Sequence, residues 1–303
     1  MPELRDSIFN LKRQRQAVIL AHNYQLGEVQ DIADFIGDSL ELSQTAARTE
    51  AKVIVFCGVH FMAETASILS PDKTVLLPDI NAGCPMANMI TASQLRDKKG
   101  ELSSSSTVCY VNSSAEVKAE SDICCTSANA IRVVESLDSD ETLFVPDQYL
   151  GHYISSMTNK KLSLWPGYCP THVKIIPEDI LRLRQDYPEA KVIVHPECRP
   201  EVINLADEVL STSGMIGFAR RTTAGMIIVG TEIGILHRLR KENPTKHFLP
   251  ASERAVCPNM KMITMEKILW SLEELSPEVT VPEYIRLKAK LTVDRMLTIG
   301  RVD

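Results

Sequence analysis

AVILAHNYQLGEVQDIADFIGDS (17–39) is the stretch that decides the fold. An aliphatic run, AVIL, meets a polar cluster, HNYQ. A helix-like segment then leads to a second short apolar run that stops at Asp-Ser. A strand that ends in polar residues, followed by a helix and another strand, opens a parallel βαβ unit. The unit continues through KVIVFCGVHFMAE (52–64) and TVLLPD (74–79), and it closes on Cys84-Pro85.

The same unit occurs twice more. The second copy runs TVCYVNSSAE (107–116), SDICCTSAN (121–129), TLFVPDQYLG (142–151), KLSLWP (161–166) and Cys169-Pro170. The third runs KVIVHPEC (191–198), ADEVLSTSG (206–214), MIIVGTEIG (226–234), HFLP (247–250) and Cys257-Pro258. The expected architecture is α/β: three homologous αβα domains, each with a short four-stranded parallel sheet whose second strand is very short. Pseudo-threefold symmetry would place them around a central active site. The expected boundaries are 1–87, 88–172 and 173–260, with 261–303 a helical tail packed on the core. A helix precedes each copy, at 3–15, 91–99 and 177–186, and Thr91 with Gln94 fits a capping box for the second. Thr264–Leu275 reads as the opening helix of a fourth copy that is never completed. The serine run 103–106 reads as a surface loop.

The bulk composition narrows the function. Net charge is −6 with no block of like charges, so nucleic acid and anionic membranes are poor partners. Anionic substrates would have to be gathered by local hydroxyls, amides and histidines. The charged amino terminus, MPELRDSIFNLKRQRQ, lacks the apolar core of a signal peptide. Apolar runs such as Val53–Val59 fall far short of the roughly 20 residues that span a bilayer. Eight cysteines without an export signal point to reduced thiols in the cytoplasm.

Ligands of open parallel sheets bind beyond the carboxyl ends of the strands. His22, Asn112 and His195 are read at the ends of the three first strands, and Ser39, Ser127 and Thr212 after the three second strands. Tyr24, Tyr110 and Glu197 cluster nearby and can move protons. The three hydroxyls suit helix N-caps, and a helix N-terminus is also a ready anion site. Cys84, Cys169 and Cys257 recur at spacings of 85 and 88 residues, one per copy, and point to a shared centre. Proline after each would hold the cysteine extended and fix its direction. Three thiolates do not complete the four-cysteine shell of an ordinary iron–sulfur cluster, so one iron would stay open to substrate. Structural zinc is the inorganic competitor, but its paired C-x₂₋₄-C spacings are absent. Cys198 and the Cys124-Cys125 pair lack counterparts in the other copies and read as packing residues. Cys57 and Cys109 lie within strands.

These residues resemble quinolinate synthase over essentially the whole chain. The motifs that carry the resemblance are AHNYQ (21–25), DIADFIGDS (31–39), CPMAN (84–88), YVNSSAE (110–116), CTSANA (125–130), CPTH (169–172), HPEC (195–198), GTEIG (230–234) and AVCPNM (255–260). The resemblance implies a [4Fe–4S] cluster on Cys84, Cys169 and Cys257. It implies condensation of iminoaspartate with dihydroxyacetone phosphate to quinolinate in NAD synthesis, with the iminoaspartate-producing enzyme as a partner. By motif position it makes His22, Tyr24, Tyr110, His195 and Glu197 catalytic. His22, Ser39, Tyr110, Asn112, Ser127, His195, Glu197 and Thr212 would bind substrate, and His172 stands close to the second Cys-Pro. A C-terminal Cys-x-x-Cys pair found in some members is absent, so its redox switch should be absent too. Two rivals remain. One is a diphthamide-synthesis type radical enzyme, and the other a non-catalytic iron–sulfur carrier or sensor with a fourth cysteine such as Cys198.

Overall fold

The computed structural model describes residues 2–102 and 105–300. Among the described residues, twelve short strands form three separate four-stranded sheets. The first contains β1 (Ala17–His22), β2 (Phe35–Gly37), β3 (Val53–Cys57) and β4 (Thr74–Leu76). The second contains β5 (Ser106–Tyr110), β6 (Ile123–Cys125), β7 (Glu141–Val145) and β8 (Lys161–Leu164). The third contains β9 (Lys191–Val194), β10 (Glu208–Val209), β11 (Met226–Gly230) and β12 (His247–Pro250). Their orders are β2-β1-β3-β4, β6-β5-β7-β8 and β10-β9-β11-β12, and every pairing is parallel. The central strands are aliphatic because helices cover both faces of a parallel sheet. Ile19, Ile54, Val108, Phe144, Val192 and Ile228 are fully buried.

One device fixes the edge strand in all three sheets. Asp34, Asp122 and Asp207 each stand just before or within one residue of the short second strand. Each gives its N–H to a carbonyl of the first strand (Ile19, Thr107, Val192) at 2.8–3.0 Å. Each takes that same residue's N–H on its carboxylate, at 2.8, 2.7 and 2.8 Å respectively. A strand of two or three residues has too few ladder bonds to hold its own register, and the aspartate adds a side-chain rung.

The latch also sets which residues are equivalent. Counting from Ile19, Thr107 and Val192, the equivalent positions are His22 and Tyr110, which end their strands, and His195, the residue after β9. This corrects the expectation that grouped Asn112 with the two histidines, since β5 stops at Tyr110. Two residues further on, Tyr24, Asn112 and Glu197 form a second equivalent set.

The helices before the copies occur at Pro2–Gln14, Ala92–Glu101 and Pro177–Asp186. Thr91 and Gln94 form the expected capping box. The carboxyl-terminal helices, Met265–Glu274 and Glu283–Thr298, close the core. The longer one packs on the helices Ala115–Ala119 and His60–Leu69 and on β6. Of the serine run, Ser103 and Ser104 lie outside the described residues, and Ser106 opens β5 rather than belonging to a loop. No helix among the described residues is long and apolar enough to cross a membrane.

Candidate active site

The carboxyl ends of all three sheets face one cavity, with about 670 Å³ of empty space including its mouth. Each copy supplies the same four tiers of side chain to its wall. They are His22, Tyr110 and His195; Tyr24, Asn112 and Glu197; Ser39, Ser127 and Thr212; and Cys84, Cys169 and Cys257. His172 joins them and is buried. No lysine or arginine among the described residues lines the cavity.

The loops fix the imidazoles. Tyr24 N–H donates to His22 Nδ1 at 3.2 Å, and Glu197 N–H donates to His195 Nδ1 at 3.3 Å. A ring nitrogen that accepts carries no proton, so the N–H of each neutral ring sits on Nε2. Burial holds both rings neutral and lowers their pKa to about 3, with the charge of Glu197 opposing only in part. The unfolded chain takes up protons on both near pH ~6.5, and the folded chain does not. Unfolding free energy, measured by urea titration, should therefore fall as pH drops from about 6.5 toward 3, with His22→Gln removing part of the slope. A stability that stays flat through that window in the parent contradicts the assignment.

Glu197 is the hub. It is buried, accepts from Tyr110 Oη at 2.6 Å, and lies 2.7 Å from His172 Nδ1 and 3.5 Å from Asn112 Nδ2. Burial alone would raise its pKa. The adjacent His172 and His195, with hydrogen bonds from His172 and Tyr110, outweigh that and hold it at about 2. Burial, reinforced by the charge of Glu197, pushes both Tyr24 and Tyr110 well above the usual phenol range, so they stay protonated. Tyr24 Oη meets Thr231 Oγ1 at 2.5 Å, and Thr231 meets His172 Nε2 at 2.8 Å.

The hydroxyl tier is freed from capping. The N-caps are Asp38, in a capping box with Glu41, and Ser211, which takes Gly214 N–H. Ser39 and Thr212 are instead the first helical residues of Ser39–Arg48 and Thr212–Arg221. Ser127 precedes the short helix Ala130–Glu135, whose N-cap is Asn129. The reading of these three hydroxyls as caps is thus corrected, by one residue at Ser39 and Thr212 and by two at Ser127.

The cysteines share a local geometry. Each opens a 3₁₀ turn, at Met86–Met89, His172–Lys174 and Asn259–Lys261. Each sulfur is approached by two backbone N–H groups, from Met86 and Ala87, Thr171 and His172, and Asn259 and Met260. Pro85 and Pro258 adopt helical φ of −58° and −61°, so their contribution is to start the turn that aims those groups. Burial raises the pKa of all three thiols, Cys84 to about 12. Cys84 senses the charge of Cys257, and Cys169 that of Cys84.

These thiols fit an iron–sulfur cluster better than one ion. Four sulfurs around zinc stand about 3.8 Å apart, given a ~2.3 Å bond. Among the described residues the trio within 4.8 Å is Cys169, His172 and Glu197, not the three cysteines. Sulfurs gathered in one cavity but spread wider than one ion, each receiving N–H groups, suit the thiolate ligands of a cluster. Cys198 does not line the cavity. It is buried, with its sulfur toward Gly230 O at 3.5 Å, so it supplies no fourth ligand there.

Thr231, Glu232 and Lys261, which brace the site, escaped the sequence reading. Glu232 is fully buried and accepts from Gly234 N–H at 2.7 Å, Cys257 N–H at 3.1 Å and Lys261 Nζ at 2.9 Å. Lys261 Nζ also donates to Tyr24 O. The pair ties the Tyr24 loop to the third cysteine turn. A Cβ on Gly234 would lie 2.5 Å from both Lys261 Nζ and Tyr24 O. The lysine can swing away, but the carbonyl cannot. Gly234→Ala should cost about 1–3 kcal/mol in thermal unfolding and lower turnover by shifting Tyr24. Parental stability and activity together would contradict this.

Similarity to known proteins agrees with the geometry. The family model described as "Quinolinate synthetase A protein" matches residues 6–298. A "Quinolinate synthase" of Dehalococcoides mccartyi (strain CBDB1) is 63% identical over 292 residues, 96% of this chain and 97% of that protein. One from Geotalea uraniireducens (strain Rf4) is 56% identical over 99% of this chain and 98% of its own length. One from Methanosarcina barkeri (strain Fusaro / DSM 804) is 56% identical over 98% of each. With four equivalent side chains from each of three repeats in one cavity and likeness along nearly its whole length, the chain belongs to the quinolinate synthetase A family.

Proposed function

We propose that the cavity condenses iminoaspartate with dihydroxyacetone phosphate to quinolinate, releasing one phosphate and two waters, as a cytoplasmic step of NAD synthesis. The observation that carries this is the convergence of three repeat-related thiols with neutral donors and the ionised carboxylate of Glu197. Cys84, Cys169 and Cys257 would hold a [4Fe–4S] cluster. When bound, its open iron supplies a Lewis acid that polarises a departing hydroxyl.

The protein's own groups supply the rest. Ser39, Ser127 and Thr212 offer hydroxyls to the phosphate and carboxylates, and Ser39 and Thr212 do so at the starts of ten-residue helices. With no lysine or arginine in the wall among the described residues, anion binding rests on neutral donors, which suits a site that must release phosphate. Glu197 is ionised at neutral pH and is the general base for carbon-bound protons in isomerisation and dehydration. The Nε2–H of His22 donates to a carbonyl or hydroxyl oxygen, while Tyr110 donates its O–H to Glu197 and His195 its Nε2–H to Ser127, so those two set the base and the anion contact. Tyr24, held by Lys261, orients the intermediate.

The test is anaerobic purification with iron and sulfide analysis, followed by assay of quinolinate from dihydroxyacetone phosphate and iminoaspartate made in situ. The expected result is about four irons per chain and synthesis that is lost in air. A colourless, iron-free, fully active protein overturns the reading.

A further inference from the structure

The Thr212 hydroxyl is held from behind by a chain that reaches the protein surface. Asn23 is fully buried, and its Nδ2 donates to Thr212 Oγ1 at 2.9 Å. Its Oδ1 accepts from Arg238 Nη1 at 2.9 Å. The same nitrogen donates to Ile36 O at 2.9 Å, and Arg238 Nε donates to Glu242 Oε1 at 2.7 Å, so the guanidinium has one seat. Arginine offers donors only. The amide oxygen of Asn23 must therefore face Arg238, and its nitrogen must face Thr212.

This orientation has a chemical consequence. Thr212 Oγ1 is committed as an acceptor, which leaves its own O–H to point elsewhere, and Thr212 lines the cavity. A phosphate or carboxylate offers acceptors only, so a hydroxyl constrained to donate favours it. Ser127 is treated in the same way by a different group. His195 donates from Nε2 to Ser127 Oγ at 3.2 Å, because its Nδ1 is already an acceptor. Two hydroxyls of the tier thus each accept from a residue of another repeat, which leaves their own protons to be given.

We propose that Asn23 is a positioning residue that makes Thr212 an obligate hydrogen donor to an anionic group of the substrate, with Arg238 fixing the Asn23 amide. The proposal rests on the reading of Thr212 as an anion contact. Asn23→Asp is the informative change. It preserves size and gives Arg238 an even better partner, but it replaces the donating nitrogen with an accepting oxygen that captures the Thr212 proton.

The experiment is a double-variant cycle on the iron-loaded enzyme, read as KM and kcat for each substrate. Thr212→Val and Asn23→Asp should each raise the KM of the same substrate by about 10- to 100-fold, the range for a hydrogen bond to a charged group. The change in kcat should be much smaller. The double variant should be no worse than Thr212→Val alone, because both act through one hydroxyl. Should Asn23→Asp not fold, Arg238→Met frees the amide to rotate and should give a smaller KM rise that vanishes in the Thr212→Val background. Multiplicative losses in the double variant, or a parental KM in Asn23→Asp, overturn the role of Asn23 while leaving that of Thr212. Unaltered KM values in Thr212→Val overturn the anion contact, and the proposal with it.

Discussion

Cys169→Ser should yield a folded, colourless protein that makes no quinolinate above background, a loss of at least about a thousandfold. The fold should survive because the turn after Cys169 is made by backbone bonds, including Val173 N–H to Cys169 O at 3.2 Å. Serine is close in size, and the side chain is only partly buried, so packing changes little. The thiolate is different in kind, since oxygen is a poor ligand for the soft iron of a cluster. With two thiolates left, a cluster has no stable seat. Cys84→Ser and Cys257→Ser should behave alike because their turns are equivalent. Cys198→Ser is the control and should keep colour and activity, since its sulfur points away to Gly230 O. Iron content, sulfide content and turnover read all four variants. Full activity in any one of the three ligand variants would break the assignment.

Glu197→Gln should lower kcat by about 10²–10⁴-fold, the ordinary contribution of a positioned general base. The side chain keeps its shape and one oxygen for Tyr110, whose hydroxyl stands 2.6 Å away. What it loses is the ability to take a proton, and the attraction for His172 at 2.7 Å. KM should change less than kcat, because the proposed anion contacts are those of the hydroxyl tier. An unfavourable contact between the new amide and His172 would cost about 1–3 kcal/mol of stability, so thermal unfolding should be recorded alongside. Unchanged turnover would remove Glu197 from the chemistry.

The sequence carried the threefold plan because each copy repeats a local pattern. Strand runs such as KVIV and MIIV, and Cys-Pro at near-equal intervals, are legible without knowing any contact. Register was harder. TVCYVN stays apolar through Val111, which reads as a strand running on to Asn112, whereas β5 ends at Tyr110. That shift of two residues hid the pairing of Asn112 with Tyr24 and Glu197. The caps were legible in principle, since Asp38 with Glu41 is a capping-box spacing. Thr231, Glu232 and Lys261 were not, because their meaning lies in contacts with Tyr24, His172 and Cys257 from distant parts of the chain. Only the folded arrangement reveals them.

Mössbauer spectroscopy of the anaerobic, iron-57-loaded protein, with and without bound quinolinate, is the most direct test of whether sulfurs from three repeats leave one iron of a shared cluster unclaimed. The account predicts one iron of the cube distinct from the other three, with only that signal shifting when the carboxylates bind. Four indistinguishable irons that ignore the ligand would contradict it.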